Sequence, residues 1–294
     1  GTESMHVYLN GNLAGTQAGV VLARNLQYPL RVGAGRTESA GADYVFPGEI
    51  DDVRLYDDAL SSAEIRAIVG SVVSCYVEAS GDDIADYVSS DAGAVQTAID
   101  NASPGDTLKV AGTCAGTPSI DLEQSVTLQG GYTPTHWLAA PNPAAYATTL
   151  DAQNSGRVLY VPAGTAATVD GLTLTRGSGV DKGGGIYNAG TLTLTQSVVH
   201  DNAATTYGGG MYNDGTSPTL IDVTFSANSS DNYGGGMYND GGGGNSSPTL
   251  TDVTFTGNST DQRGGGIFNY GGGGVSAPTL TNVIFRDNTA NTGG

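Results

Sequence analysis

Four copies of one hexapeptide decide the fold: GGGIYN at 183–188, GGGMYN at 208–213, GGGMYN at 234–239 and GGGIFN at 264–269. Each is followed by a second conserved-looking run: LTQSVVHDN (194–202), LIDVTFSAN (220–228), LTDVTFTGN (250–258) and LTNVIFRDN (280–288). Leu194, Leu220 and Leu250 each stand 14 positions before the next triplet, at Gly208, Gly234 and Gly264. From the triplets to the following leucines the spacing is 11, 12, 16 and 16 positions. All the length variation therefore falls after Asn188, Asn213, Asn239 and Asn269, in segments that grow to DGGGGNSS and YGGGGVSA. A constant core with one elastic segment is how a solenoid turn behaves, because insertions must leave the stack outwards.

The runs alternate and are β-branched, as in Val223-Thr224-Phe225, and they hold too much Gly, Thr and Asn for a helical repeat. Turns of 25–30 residues built from short strands and corners predict a right-handed parallel β-helix, rising ~4.8 Å per turn by backbone pairing. Leu220, Val223 and Phe225 are expected inside, with Leu250, Val253 and Phe255, then Leu280, Val283 and Phe285, stacked upon them. Leu194, Ser197 and Val199 precede them, and VDGLTLTRG (169–177) puts Val169, Leu172 and Leu174 in the same columns. Asp222, Asp252 and Asn282 mark a bend, and the triplet glycines a corner or a close backbone approach.

Two asparagine columns follow from the register: Asn188, Asn213, Asn239 and Asn269, and Asn202, Asn228, Asn258 and Asn288. Stacked amides bond along the stacking direction, so these are read as structural ladders. If Ile186, Met211, Met237 and Ile267 face the core, alternation turns Tyr187, Tyr212, Tyr238 and Phe268 outward in a line. Such a row suits sugar rings or a partner strand, unless the long Gly loops fold over it.

Earlier turns are less regular. Thr107–Val110, Val126–Leu128 and Val158–Val161 are expected strands. Ala94, Val95, Ala98, Ile99 and Ala102 mark one face of a helix at about 92–102, which would cap the open end of the stack. Cys75 and Cys114 are placed to meet across adjacent coils; a bridge would add roughly 3–4 kcal/mol and require an oxidising compartment, whereas buried free thiols are the alternative.

Forty-six glycines with no three-residue period, among regular Val, Leu, Ile and Phe, argue against both collagen and disorder. The net charge of −18, with Lys109 and Lys182 the two lysines, speaks against nucleic-acid binding, whose affinity comes from Lys and Arg displacing counterions. No apolar run is long enough to span a bilayer. Gly1 and Gly294 fall inside what read as a domain and a repeat, so a piece of a longer protein is expected.

The pairing of GGGI or GGGM with F-x-x-N (Phe225–Asn228, Phe255–Asn258, Phe285–Asn288) resembles the repeats of polymorphic outer-membrane-protein adhesins. Residues from Cys75 onward resemble bacterial secreted β-helix proteins more widely. The third Gly stands where that family often has Ala, and no membrane-barrel domain is present. The resemblance implies an extracellular, adhesive setting.

Residues 1–70 carry a different pattern. MHVYLNGNLAGT (5–16) predicts a hairpin with a type I′ turn at Asn10-Gly11. Further strands are expected at 30–35 and 48–56, and a short helix opens on the capping box Ser61 and Glu64. The order V-x-L-N-G-x-L, P-L-R-V-G, G-x-I-D-D-V-R-L-Y resembles the C-terminal half of a laminin-G-like, concanavalin A-like jelly roll.

Candidate chemistry is sparse. Glu49, Asp51 and Asp52 resemble part of a glucanase E-x-D-x-x-E motif, but Arg54 occupies the place of the general acid. Asp181-Lys182 is the one adjacent acid–base pair worth testing. His6, His136 and His200 show no metal-ligand spacing. Asp82, Asp83 and Asp86 offer carboxylates to calcium without a calcium repeat's spacing; otherwise no cofactor or metal is expected.

The reading is thus an all-β chain: a partial antiparallel jelly roll (1–70) and a right-handed parallel β-helix (71–294), with the regular GGG turns at 183–294. Its expected role is non-enzymatic, structural or adhesive, at a cell surface or secreted. Partners would be glycans, host or neighbouring cell-surface proteins, or further copies in a filament. The alternative is a carbohydrate-active or carbohydrate-binding β-helix.

Overall fold

A computed structural model describes residues 3–9, 12–20, 34–36, 43–45, 74–116 and 119–292. The chain divides into two compact units, Gly1–Val72 and Val73–Gly294.

In the first unit, strands Glu3–Leu9 and Asn12–Val20 pair antiparallel, with Leu9 opposite Asn12. This is the predicted hairpin, its two turn residues lying outside the described residues. Ala34–Arg36 pairs antiparallel with Asp43–Val45. The predicted strand at 48–56, the helix opening at Ser61 and Glu64, and the acids Glu49, Asp51 and Asp52 with Arg54 lie outside the described residues.

The second unit is a β-solenoid of parallel strands. Its turns are seeded on the nine-residue strand Thr107–Ala115, which pairs along one half with Thr127–Tyr132 and along the other with Thr148–Asp151. From there two faces grow in register. The first runs Ala166–Asp170, Thr191–Thr195, Thr219–Ile221, Thr249–Thr251 and Thr279–Thr281; the second runs Leu172–Thr175, Val198–His200, Thr224–Ser226, Thr254–Thr256 and Ile284–Arg286. A third, six-stranded face runs from Ile120–Asp121 through Leu159–Val161, Ile186–Asn188, Met211–Asp214 and Met237–Asp240 to Ile267–Tyr270. A fourth, from Val180–Lys182 to Thr289–Thr292, closes each turn before the glycine triplet.

The apolar columns stand as the periodicity predicts. Val169, Leu194, Leu220, Leu250 and Leu280 lie in register on the first face. On the second, Leu174, Val199, Phe225, Phe255 and Phe285 do so, and the three phenyl rings stack at 4.9 and 5.2 Å. Ile186, Met211, Met237 and Ile267 supply the third wall. All but the last turn's members are buried or nearly so. Between the first two faces Asp222, Asp252 and Asn282 have φ of +56°, +56° and +53°, which confirms the bend and explains the residue type, since Asp and Asn tolerate that region best among non-glycines.

Each glycine of a triplet has its own reason. The first, at Gly183, Gly208, Gly234 and Gly264, has φ between +61° and +68°. A Cβ on the second would fall 2.0 Å from the Ser229 carbonyl at Gly209 and 2.3 Å from the Ala203 carbonyl at Gly184. On the third, at Gly185, Gly210 and Gly236, it would fall 2.5 Å from the carbonyl of the glycine one turn on. Alanine has no room at the third position here.

The one helix among the described residues, Gly93–Asn101, buries Ala94, Val95, Ala98 and Ile99 within the same core. Its first turn is held by Asp91 Oδ1 and Ser89 Oγ, which accept from the N–H groups of Gly93 (2.8 Å) and Ala94 (3.2 Å). Cys75 and Cys114 form a disulfide that ties strand Cys75–Glu78 to Thr107–Ala115.

Candidate functional site

The aromatic row on the third face is the most organised polar feature of the solenoid. Backbone register stacks Tyr160, Tyr187, Tyr212, Tyr238 and Phe268 one above the next. Their ring centroids lie 5.6, 5.1, 5.4 and 5.4 Å apart. The side chains alternate away from the core, as expected, but the row is not an open surface. Tyr212 is 0 % and Tyr238 5 % exposed, and Tyr187 and Phe268 are only partly accessible.

The cover comes from the residue that immediately precedes each of the first three triplets: Lys182, Tyr207 and Tyr233. The left-handed first glycine reverses the chain, so that residue lies back over the rings. Tyr207 stacks on Tyr238 at 4.8 Å and on Tyr233 at 5.7 Å, and Tyr233 stacks on Phe268 at 4.8 Å. Lys182, the equivalent residue one turn earlier, sits 4.6 Å from the Tyr212 ring centroid and donates to the Tyr212 hydroxyl at 3.0 Å. Arg157 lies 4.9 Å from the Tyr187 centroid, its guanidinium donating to the Gly183 and Lys182 carbonyls. The expectation that Tyr187, Tyr212, Tyr238 and Phe268 form a free contact line is thus corrected: it is a two-layer aromatic wall. One regularity accompanies the cover, since Lys182, Tyr207 and Tyr233 each directly precede a triplet and have long side chains, but the sequence alone does not show that they fold back over the rings.

The hydroxyls tie successive turns. Tyr187 donates to Asp214 and Tyr212 to Asp240, each at 2.5 Å. Burial, reinforced by the carboxylate each bonds, raises the pKa of Tyr187 and Tyr212 above the usual phenol range, and burial does the same for Tyr238. These phenols stay protonated, and those of Tyr187 and Tyr212 act as hydrogen-bond donors.

Both asparagine columns are bonded ladders. Asn202 donates to Asn228, Asn228 to Asn258 and Asn258 to Asn288 through side-chain amides at 3.0, 2.9 and 2.8 Å. Asn188 donates to Asn213, Asn213 to Asn239 and Asn239 to Asn269 at 3.2, 2.8 and 2.8 Å. In the first ladder the second amide hydrogen goes to the main chain, for example Asn228 to the Val199 carbonyl at 2.8 Å.

The other candidates do not converge. Lys182 turns in over Tyr212 whereas Asp181 is exposed, so the adjacent pair does not work as one. Asp86 accepts from the Ala79 and Ser80 N–H groups, Asp82 from Ile84, and Asp83 from Trp137 and Leu138. Glu78 pairs with Lys109 at 2.8 Å. Among the described residues no group of three or more His, Cys, Asp or Glu side chains gathers for a metal ion. His136 and His200 are engaged locally, with Thr135 at 2.9 Å and Asp201 at 2.7 Å.

Fold and side chains together define an all-β solenoid with stacked ladders inside and an aromatic wall outside. Residues 1–66 match the concanavalin A-like lectin/glucanases superfamily. No curated protein and no solved structure matches the chain.

Proposed function

We propose that this chain belongs to a non-enzymatic structural and adhesive protein, secreted or held at a cell surface, in which a β-helix supports a lectin-like module. The observation that carries the reading is the shared register of the second and third faces, in which Asn, Tyr–Asp and Phe columns bond or stack turn upon turn. Side chains so committed to their neighbours make a stiff support. On this reading the coil is right-handed, as parallel crossover connections overwhelmingly are. The helix Gly93–Asn101 caps its first turn, the repeats are of the polymorphic outer-membrane-protein kind, and residues 1–70 complete part of a jelly roll. The Cys75–Cys114 bridge favours an oxidising, extracellular compartment.

A second reading, a carbohydrate-binding or carbohydrate-active protein, is favoured by the lectin/glucanase match of residues 1–66. One experiment separates the two. The chain is incubated with a panel of polysaccharides, and reducing and unsaturated ends are counted beside a glycan-array readout. Retention of glycans without chain cleavage is expected. Cleavage that a single carboxylate substitution abolishes would falsify the non-enzymatic assignment.

A further inference from the structure

Between the strands Thr127–Tyr132 and Thr148–Asp151 the chain leaves the stack in a long excursion that holds its one tryptophan. Trp137 is fully buried against Ala111 and Tyr132, apart from the main core. Four bonds fix this limb: the indole donates to the Pro134 carbonyl at 3.1 Å, Asp83 accepts from the Trp137 and Leu138 N–H groups at 2.6 and 3.3 Å, and Lys109 donates to the Trp137 carbonyl at 3.0 Å. The returning limb is fixed by Asn142. Its N–H donates to the Gly131 carbonyl at 2.8 Å, and its carbonyl accepts from the Tyr146 N–H at 2.9 Å. Gly131 has φ +88°, and a Cβ there would lie 2.7 Å from the Pro143 nitrogen, so only glycine allows the limbs to meet.

A cleft of about 430 Å³ lies against the excursion, lined by Tyr132, Thr133, Thr135, His136, Ala140 and Tyr146 among others. This is within the usual range for small-ligand sites, roughly 300–1,000 Å³. Tyr146 is 48 % exposed. Thr133 and Thr135 both approach His136 Nδ1, at 3.4 and 2.9 Å, which leaves Nε2 as the ring nitrogen open to a ligand. In a chain of net charge −18, no Asp, Glu, Lys or Arg lines this cleft.

That lining selects by chemistry. A charged ligand finds no counter-charge, and a wholly apolar one would strip water from the threonine hydroxyls and the imidazole without replacing it. A ring with one C–H face and a rim of neutral hydroxyls satisfies both demands: the face packs on an aromatic ring while the rim bonds to His136 and Thr133. We propose that this cleft binds a neutral pyranose unit of a glycan, stacked on Tyr146. The inference rests on the adhesive reading for its setting, but it places the contact on the solenoid, separate from residues 1–66.

The lone tryptophan beneath the cleft supplies the probe. The 294-residue chain is titrated with maltose, cellobiose, lactose and diacetylchitobiose, following tryptophan fluorescence and, in parallel, heat of binding. At least one sugar is expected to give a saturable fluorescence change. Tyr146→Ala should weaken it ten-fold or more and His136→Ala should weaken it too, while Tyr146→Phe retains it. Unchanged melting curves show that these variants still fold. Binding heat that persists in Tyr146→Ala, with no tryptophan response, places the sugar elsewhere and overturns this site while leaving the adhesive reading intact. Silence from every sugar up to about 10 mM, where even millimolar affinities register, overturns it as well.

Discussion

Asn228 shows how much one side chain does in this fold. Its amide donates to Asn258 and to the Val199 carbonyl, and its oxygen accepts from both the main-chain and side-chain nitrogens of Asn202. Asn228→Ala therefore removes four bonds and leaves the buried main-chain and side-chain N–H groups of Asn202 without the oxygen that accepts them, while Asn258 Oδ1 keeps the Asn228 main-chain N–H. Unfilled buried groups cost about 1–3 kcal/mol each, so a loss of about 3–5 kcal/mol is expected from chemical denaturation, far above that of an exposed asparagine. The asparagine columns were legible in the sequence because Asn188, Asn213, Asn239 and Asn269 each end a triplet hexapeptide, and Asn202, Asn228 and Asn258 each stand six positions before the next triplet. The burial of Tyr212 and Tyr238 was not. It depends on a residue in the preceding strand being thrown back by a left-handed glycine, and alternation along one strand does not report on that.

At the scale of elements, the first three faces could be read and the fourth could not. Leu220, Phe225 and Met237 mark their strands by apolar residues at fixed spacing. The fourth face instead turns small or polar side chains inward, Ala204, Ser230 and Thr260, so its strands AATTY, SS and STDQR carry no apolar alternation to detect. The elastic segments also hold more structure than their composition suggests: Ser246 donates from its backbone N–H to the Val275 carbonyl at 2.8 Å, so the two longest pair with each other. The second face includes a charge pair across two turns, where the Arg176 guanidinium grips Asp151, with Nε to Oδ1 at 2.8 Å. Burial alone would raise the Asp151 pKa, but the bonds from Arg176 and the Gln153 N–H outweigh it and hold it below the usual carboxylate value. A lowered folded-state pKa contributes stability above the unfolded value, near 3.9, and that contribution is lost as pH falls through the folded value. Arg176→Met should therefore flatten the fall in urea midpoint below about pH 4 relative to the parent. An unchanged pH slope would show that Asp151 does not sense the pair.

For the molecule as a whole, the solenoid is a stack in which each turn touches only its neighbours. Its stability is then approximately a sum of turn and interface terms rather than the property of one centre. The disulfide lies at the first turns, where a loop of 39 residues is closed and the unfolded chain is restricted by about 4 kcal/mol. The later turns have no covalent tie and rely on their ladders. They are also unequal: neighbouring asparagines lie 25, 26 and 30 residues apart along the chain.

That inequality has a mechanical consequence. Tension applied along the axis loads the ladders of one interface at a time, so turns should peel away in succession and lengthen the tether by discrete amounts. At about 3.5 Å per extended residue, the increments would be about 9 nm for the shorter turns and about 10 nm for the 30-residue ones. Optical-tweezer traces should show this staircase, short steps and long steps in the order set by the Gly-rich loops. A single cooperative rip would mean that the turns yield together, as one body.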